Sequence, residues 1–382
     1  MSQSFPPYEA GTGNVCLHNS LELAKRGHIV EILTTGPSNS TDPIAERVTL
    51  KRIKPIARRG NAALLPGLAR HMRHCAVIHL HLPFYGGAEW ALLGSRISAR
   101  PLVVTYHNDV TLQGRLGNLP PIYDAIVTKN IARHCARWIA PSLAFASNSR
   151  ISRYLAPISE KVVEIPNGVD ISTFSTSTGA NDDEPISIAK RDLKILFVGA
   201  LDSAHYYKGL ELLMKAFSNL EDRRAELVVV GDGELSNYYS GLANKLEIQK
   251  RVRFLGKIQN QSLPDVYRDA DIVVVPSIIA ENQSLVALEA MSSGRPLIVS
   301  RYASTQSLVQ DGINGVLFTS ENEEDLRQKI EMLMDDGHLR KSLGRRAREH
   351  CVSRHSWDTV GDALDTLFKE IEDAYRTEDD QI

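Results

Sequence analysis

The stretch SIIAENQSLVALEAMSSGRP, residues 277–296, sets two carboxylates, Glu281 and Glu289, among apolar and small residues. The apolar run DIVVVPS ends at Ser277, which leaves Glu281 in the loop after a strand. Ser284 is a favourable N-cap, and a helix beginning there carries Glu289 in its second turn. Helical side chains lean back toward the N-terminus, so both carboxylates can reach one ligand. The first-turn N–H groups between them lack intrahelical partners and suit an anion. Two carboxylates would repel a bare phosphate. They fit a ligand with hydroxyls on both sides of its phosphates, a sugar on one side and a ribose on the other. The plainer reading of each glutamate alone is a salt-bridge partner.

Two other turns have the same character. FVGALDSAHYYKGLELLMKAF gives a strand, a loop, and Lys208-Gly209 opening a helix. A lysine at a helix start opposes the helix dipole, which a phosphate at Lys208 would explain. VVVGDGEL places Gly231 and Gly233 where backbone can approach a ligand closely. In the first half, His79 and His81 alternate on VIHLHL, with His81 nearer the strand end. No third ligand joins them, so no metal site is expected.

The elements that must hold these residues are short apolar runs separated by helical patterns. In the first half the runs are IVEILTT, VIHLHL, PLVVTYH, RWIAPS and KVVEIP. In the second they are KILFVGA, AELVVVGD, RVRFLG, DIVVVPS, PLIVS and GVLFT. They are rich in Val and Ile without polar alternation, as strands buried on both faces are. Alternating β and α segments imply doubly wound α/β units, whose ligands bind outside the carboxyl ends of the strands.

A chain of 382 residues is long for one core, so two domains are expected. Residues 171–192, ISTFSTSTGANDDEPISIAKRD, are polar and aperiodic and read as a linker or surface excursion. That divides the chain into a Rossmann-like domain at 1–170, a second at 193–355, and a helix at 356–382 packing back toward the first. At 43% hydrophobic and 24% charged, with net charge −2, the composition is globular. No apolar run reaches the ~18 residues of a membrane span, and MSQSFPPYEA is no signal peptide. Four cysteines lack metal or redox spacing, so the cytoplasm is the expected compartment. From Arg47 to Ala88 there is no acidic residue, and Arg58, Arg59, Arg70 and Arg73 flank Leu64, Leu65 and Leu68. This is either a solvated face or a surface for an anionic partner.

The spacing Glu281-x7-Glu289 in PSIIAENQSLVALEAMSSGRPLIVS, with GTGN, LAKRGHIVEILTTG, VTYHND, VEIPNGVD and FLGKI, resembles the retaining nucleotide-sugar glycosyltransferases of family 4. The resemblance covers nearly the whole chain and is closest in style to bacterial enzymes of exopolysaccharide and O-antigen assembly. It implies the GT-B fold, two Rossmann-like doubly wound domains facing across a cleft. It implies a catalytic group of His107, Lys208 and Glu281, with Glu281 at the donor sugar, Lys208 at the diphosphate and His107 at the transferring sugar. Glu289 would hold the ribose, Gln283, Ser284 and Leu285 the phosphate and sugar, and Leu255 to Lys257 the edge of the base pocket. Gly11 and Gly13 of PPYEAGTGN would let a loop meet the donor phosphates or the acceptor. Asp109 would orient His107 or bind acceptor, and His81 would line the cleft. No metal or cofactor is implied; a nucleotide diphosphate sugar is the co-substrate.

The chain also departs from the pattern. GALDSAH has no arginine to pair with Lys208, so either His205 takes over that role or Lys208 acts with the helix dipole alone, and Gln283-Ser284 replaces Phe-Gly. Only MSQS stands where a central first strand is expected. The expectation is a retaining hexosyltransferase acting on a glycan or lipid-linked acceptor in cell-surface polysaccharide synthesis, with no nucleic-acid partner. Residues 47–74 would attach it peripherally to the inner face of the plasma membrane. The rivals are a nucleotide-sugar epimerase of the same architecture and an inactive nucleotide-sugar-binding partner subunit.

Overall fold

In the computed structural model, residues 1–6, 11–59, 62–110, 117–176, 192–222 and 224–379 are described. The chain forms two compact units, Met1–Gly168 with Trp357–Ile382, and Val169–Ser356.

In the first unit the strands are β1 Val30–Thr35, β2 Ser40–Ala45, β3 Val48–Ile53, β4 Ala57–Arg59, β5 Ala62–Leu64, β6 Ile78–Leu82, β7 Leu102–Tyr106, β8 Arg137–Ala140 and β9 Val162–Glu164. The last four pair in parallel in the order β6-β7-β8-β9. A second sheet has the order β1-β3-β2, with β2 antiparallel to β3. The pairs β2-β3 and β4-β5 lie in a region where the sequence suggested only charge. They are half-exposed, so their strands mix polar and apolar residues and lack the unbroken apolar run of a buried strand.

The place of the expected first strand is held by the leading residues. The Met1 ammonium donates to the His79 carbonyl at 2.7 Å and the Met1 carbonyl accepts from His81 N–H at 2.9 Å. Ser2 N–H reaches the Leu33 carbonyl at 3.2 Å. Residues 1 and 2 thus bond to both β6 and β1. Phe5 is buried with Cys16, Ile32, Val48 and Leu50.

The C-terminal helix Trp357–Asp379 packs against the first helix, Gly11–Lys25. Arg26 joins them, donating to Glu22 at 2.7 Å and to Asp358 and Asp362 at 2.8 Å. His28 pairs with Asp365, and His18 stacks on Trp357 with centroids 4.6 Å apart.

The second unit holds β10 Leu193–Val198, β11 Ala225–Val230, β12 Val252–Gly256, β13 Ile272–Val275, β14 Leu297–Ser300 and β15 Val316–Phe318. They form one parallel sheet in the order β12-β11-β10-β13-β14-β15. Alternate residues of each strand enter opposite cores. Ile195, Phe197, Leu227 and Val229 pack beneath the helices Leu210–Ser218 and Glu323–Asp335. Leu196, Val228, Val273 and Val275 pack beneath Leu285–Ser292 and Gly337–His355. Each large aliphatic side chain so buried contributes about 1.5–3 kcal/mol.

The expected linker is in part packed structure. Ser292 Oγ donates to the Phe174 carbonyl at 2.7 Å, and the Phe174 ring lies against Tyr267 at 5.6 Å. Residues 177–191 of it lie outside the described residues.

The Arg26 cluster gives a test of how the C-terminal helix is held. Arg26→Ala should destabilise the first unit by roughly 1–3 kcal/mol, since Glu22 stays buried after losing charged hydrogen bonds. Equilibrium urea unfolding measures this, and an unchanged midpoint would show that apolar packing alone fixes the helix.

Candidate active site

In the second unit the sheet order reverses direction between β10 and β13, and the loops after these two strands lie side by side. The chain leaves β10 through Gly199 into a short helical turn, Ser203–Lys208, and Gly209 then starts the helix Leu210–Ser218. Gly209 has φ 76°, and a Cβ there would stand 2.0 Å from the Pro276 carbonyl. Only glycine allows both the left-handed turn and this approach. Ile278 N–H donates to the Tyr207 carbonyl at 2.8 Å, tying the two loops together.

That contact brings Lys208 onto Glu281. Lys208 Nζ pairs with Glu281 Oε2, and Ser277 Oγ donates to Glu281 Oε1. The two charged side chains are 18% and 16% exposed, so most of the pair is shielded from water. Burial works against the Lys208 charge, but Glu281, Tyr207 and Glu289 outweigh it and its pKa is raised. The Tyr207 ring centroid is 5.4 Å from the ammonium.

Glu289 lies in the second turn of Leu285–Ser292 and accepts from Tyr267 Oη at 2.7 Å. Burial raises its pKa to about 7, against the lowering influence of Tyr267 and Lys208. Lys208, Glu281 and Glu289 thus form one electrostatic group of a single ammonium and two carboxylates. Ser284 is the N-cap residue in extended conformation, and its Oγ caps nothing. It faces a small cavity that Glu281 also lines, together with the buried Ser300 and Ser304, whose hydroxyls also have no partner. Gln283 and Leu285, on either side of the cap, are partly buried.

Several expected residues do other work. A Cβ on Gly231 would stand 1.8 Å from the Gly199 carbonyl, and one on Gly233 2.3 Å from the Leu201 carbonyl. These glycines let two strand-end loops approach each other closely. His205 is engaged by Asp202 at 2.7 Å, not by the Lys208 group. Leu255 packs against the second core, while Lys257 is exposed just past β12.

In the first unit, Gly11 and Gly13 stand in the first turn of the helix Gly11–Lys25, not in a loop before it. A Cβ on Gly13 would meet the Ser4 carbonyl at 2.8 Å, so this glycine lets the helix lie on residues 4 and 5. Residues 7–10 of that expected loop lie outside the described residues. His107, just past β7, is 7% exposed, and its Nε2 lies 2.9 Å from His81 Nδ1. His81 is 1% exposed and lies behind His107, so it lines no surface. Asp109 does not touch His107. Its Oδ1 accepts from Tyr106 Oη at 2.7 Å and its Oδ2 from Arg150 N–H at 2.9 Å. Arg150 in turn donates to the buried Asp124 at 2.6 Å. Asp109 is thus an anchor for the segment after β7.

Sequence reading missed Ser277, Tyr207 and Tyr267. A hydroxyl four residues before Glu281 at a strand end was a usable sign for Ser277. Tyr267 gave none, because only folding brings its helix against Glu289.

Two family models match, "Glycosyltransferase Family 4" over residues 10–173 and "Glycosyl transferases group 1" over residues 180–350. The chain belongs to this family of glycosyltransferases. It is 28% identical to a D-inositol 3-phosphate glycosyltransferase of Actinosynnema mirum, over 97% of this chain and 94% of that one. It is 26% identical to an uncharacterized glycosyltransferase of Methanocaldococcus jannaschii, over 91% of each. A phosphatidyl-myo-inositol mannosyltransferase of Mycolicibacterium smegmatis is 26% identical over 78% of this chain and 72% of its own length. The fold is that of sucrose-phosphate synthase from Thermosynechococcus elongatus, with TM-score 0.77 and 20% identity over 96% of this chain and 94% of that one. Anabaena HepE matches at TM-score 0.74 and 19% identity over 96% and 98%. The two α/β units with their parallel sheets are therefore a GT-B glycosyltransferase fold, and members of the family move a sugar from a nucleotide-sugar donor. Among the described residues no helix is long and apolar enough to cross a membrane.

The raised Glu289 pKa predicts a pH signature. Between the ordinary carboxyl value of 4.5 and about 7, the folded chain holds a proton that the unfolded chain has released. Stability therefore falls as pH rises through that window. Glu289→Gln lacks this loss, so its stability relative to the parent should grow from pH 5 to pH 8 in urea unfolding. A difference that stays constant over that range would contradict the buried, high-pKa carboxyl.

Proposed function

We propose that the protein transfers a hexose, with retention of configuration, from a nucleotide diphosphate sugar to a hydroxyl of a glycan or lipid-linked acceptor. The observation that carries this is the convergence of Lys208, Glu281 and Glu289 at the carboxyl ends of β10 and β13. One ammonium between two carboxylates matches a donor with a diphosphate flanked by a hexose and a ribose. Lys208 holds the diphosphate, Glu281 the hexose and Glu289 the ribose hydroxyls. Donor binding replaces the Lys208–Glu281 ion pair with a Lys208–phosphate contact, which frees Glu281 to accept from sugar hydroxyls. Gln283, Ser284 and Leu285 bring the helix start to the phosphates.

In the reaction the acceptor oxygen bonds to the anomeric carbon on the face that the diphosphate leaves. The departing diphosphate oxygen takes the acceptor proton. Lys208 stabilises the charge that develops on it, and His107 and Glu281 position the hexose. HepE was solved with UDP-glucose, which makes UDP-hexoses the first donors to test.

Lys208→Ala should reduce turnover by a factor corresponding to ~3–4 kcal/mol, the usual effect of removing a preorganised charge stabiliser. Nucleotide release is the readout, across a set of donors with and without acceptors. Near-normal turnover in the variant removes Lys208 from the mechanism. Isomerised donor in the parent reaction would make the protein an epimerase, and donor binding without turnover would make it a binding subunit.

The acceptor side points to an anionic, lipid-linked molecule in cell-surface polysaccharide synthesis, met at the inner membrane face. Relatives bear the names of enzymes acting on inositol 3-phosphate and on phosphatidyl-myo-inositol. Here a groove in the first unit is lined by Lys51, Arg52, Lys54, Arg70 and His71. Lys51 and Arg52 are already paired with Glu31 and Asp42, while Lys54, Arg70 and Arg73 are exposed. The apolar part differs from the sequence expectation. Leu65 and Leu68 are core residues, and Ile56, just before β4, and Leu64, in β5, are the exposed ones, at 74% and 44%.

Basic and apolar groups together suit peripheral attachment, at about 1 kcal/mol per basic residue and weakened by salt. Liposome sedimentation should show binding that needs anionic lipid and falls when Lys54, Arg58, Arg70 and Arg73 become Ser. Indifference to anionic liposomes at low salt would leave an acceptor dissolved in water as the substrate.

A further inference from the structure

His81 was expected to meet a ligand, yet at 1% exposure it can touch none directly. Its surroundings in the first unit are specific. Strands β6 and β7 run parallel with His81 opposite Thr105 and His79 opposite Val103. The His107 N–H then donates to the Leu82 carbonyl at 3.0 Å, so the backbone just past β7 is held in the same ladder. This register sets His81 Nδ1 2.9 Å from His107 Nε2, with the ring planes 11° apart. On its other side the His81 ring lies 4.3 Å from His79, which is itself fixed by a 2.7 Å bond between Nε2 and Thr105 Oγ1 and by edge contact with Phe368.

Burial lowers the pKa of both His81 and His107, so both rings are neutral at pH 7. Two neutral imidazoles facing nitrogen to nitrogen share one proton. If His107 Nε2 carries it, His107 Nδ1 is an acceptor; if His81 Nδ1 carries it, His107 Nδ1 is a donor. Whatever selects one arrangement also selects what His107 can offer a sugar hydroxyl. A ring held by such a bond is also fixed about its χ2 torsion, which aromatic side chains otherwise leave broad.

We infer that His81 is a positioning residue that fixes the ring orientation and tautomer of His107 through this nitrogen-to-nitrogen hydrogen bond. The inference rests on the reading above that His107 meets the transferring hexose. In the alternative, His81 is an ordinary core residue whose loss affects stability alone.

The test uses the full chain and a UDP-hexose donor that it turns over. His81→Leu removes the bond and should lower kcat by 10- to 100-fold while leaving the Kd for UDP unchanged. His81→Asn places an amide near the Nδ1 position and should restore most of kcat. Nitrogen-15 NMR should show one tautomer for His107 in the parent and in His81→Asn, and a mixture in His81→Leu. A through-hydrogen-bond coupling between His81 Nδ1 and His107 Nε2 in the parent needs no variant and remains decisive if His81→Leu fails to fold. Absence of that coupling, an unchanged His107 tautomer in His81→Leu, or equal losses of kcat in His81→Leu and His81→Asn would each overturn the inference. Full activity in His107→Ala would instead remove the role of His107 itself.

Discussion

Lys208 and Glu281 are 73 residues apart in the chain and meet because β10 and β13 are neighbours in the sheet. This adjacency is the constraint on which the second unit's site depends. The sheet is built outward from that pair, β11 and β12 on one side and β14 and β15 on the other. The crossovers of the two halves therefore lie on opposite faces of the sheet, and a crevice opens where the order reverses. Gly209 makes the crevice chemical: with any side chain there, the Lys208 loop would be pushed off the Pro276 carbonyl and the ammonium away from Glu281.

Low dielectric then sets the behaviour of the groups gathered there. Glu289 is held by one tyrosine hydroxyl and by the field of one lysine, which is too little to offset burial, and its proton is retained to about neutrality. Lys208, nearer its counter-charges, stays a cation. The first unit shows the same physics at three buried imidazoles. His79, His81 and His107 become neutral hydrogen-bonding groups, each with a defined partner. The buried carboxylates Asp124 and Glu22 of that unit are paired with Arg150 and Arg26.

The eleven apolar runs read as strands are all strands, because buried parallel strands need apolar side chains on both faces and such runs have few other uses. The four strands from residue 40 to residue 64 were not legible, since a sheet edge open to water tolerates mixed residues. A glycine that lets backbone approach a ligand and one that lets backbone approach backbone have the same sequence signature; the fold shows that Gly13, Gly231 and Gly233 let backbone approach backbone.

The sequence by itself determined the order of the buried parallel strands, the placing of Lys208 and Glu281 in strand-end loops, and the placing of Glu289 on the helix that follows. These are local facts, encoded in runs, caps and spacing. Only the tertiary structure decided the partners. Tyr267 on Glu289, Arg150 on Asp109, and His81 behind His107 all follow from strand register and helix packing. Register couples residues distant in the chain through hydrogen bonds that any side chain permits, so no spacing in the sequence records it.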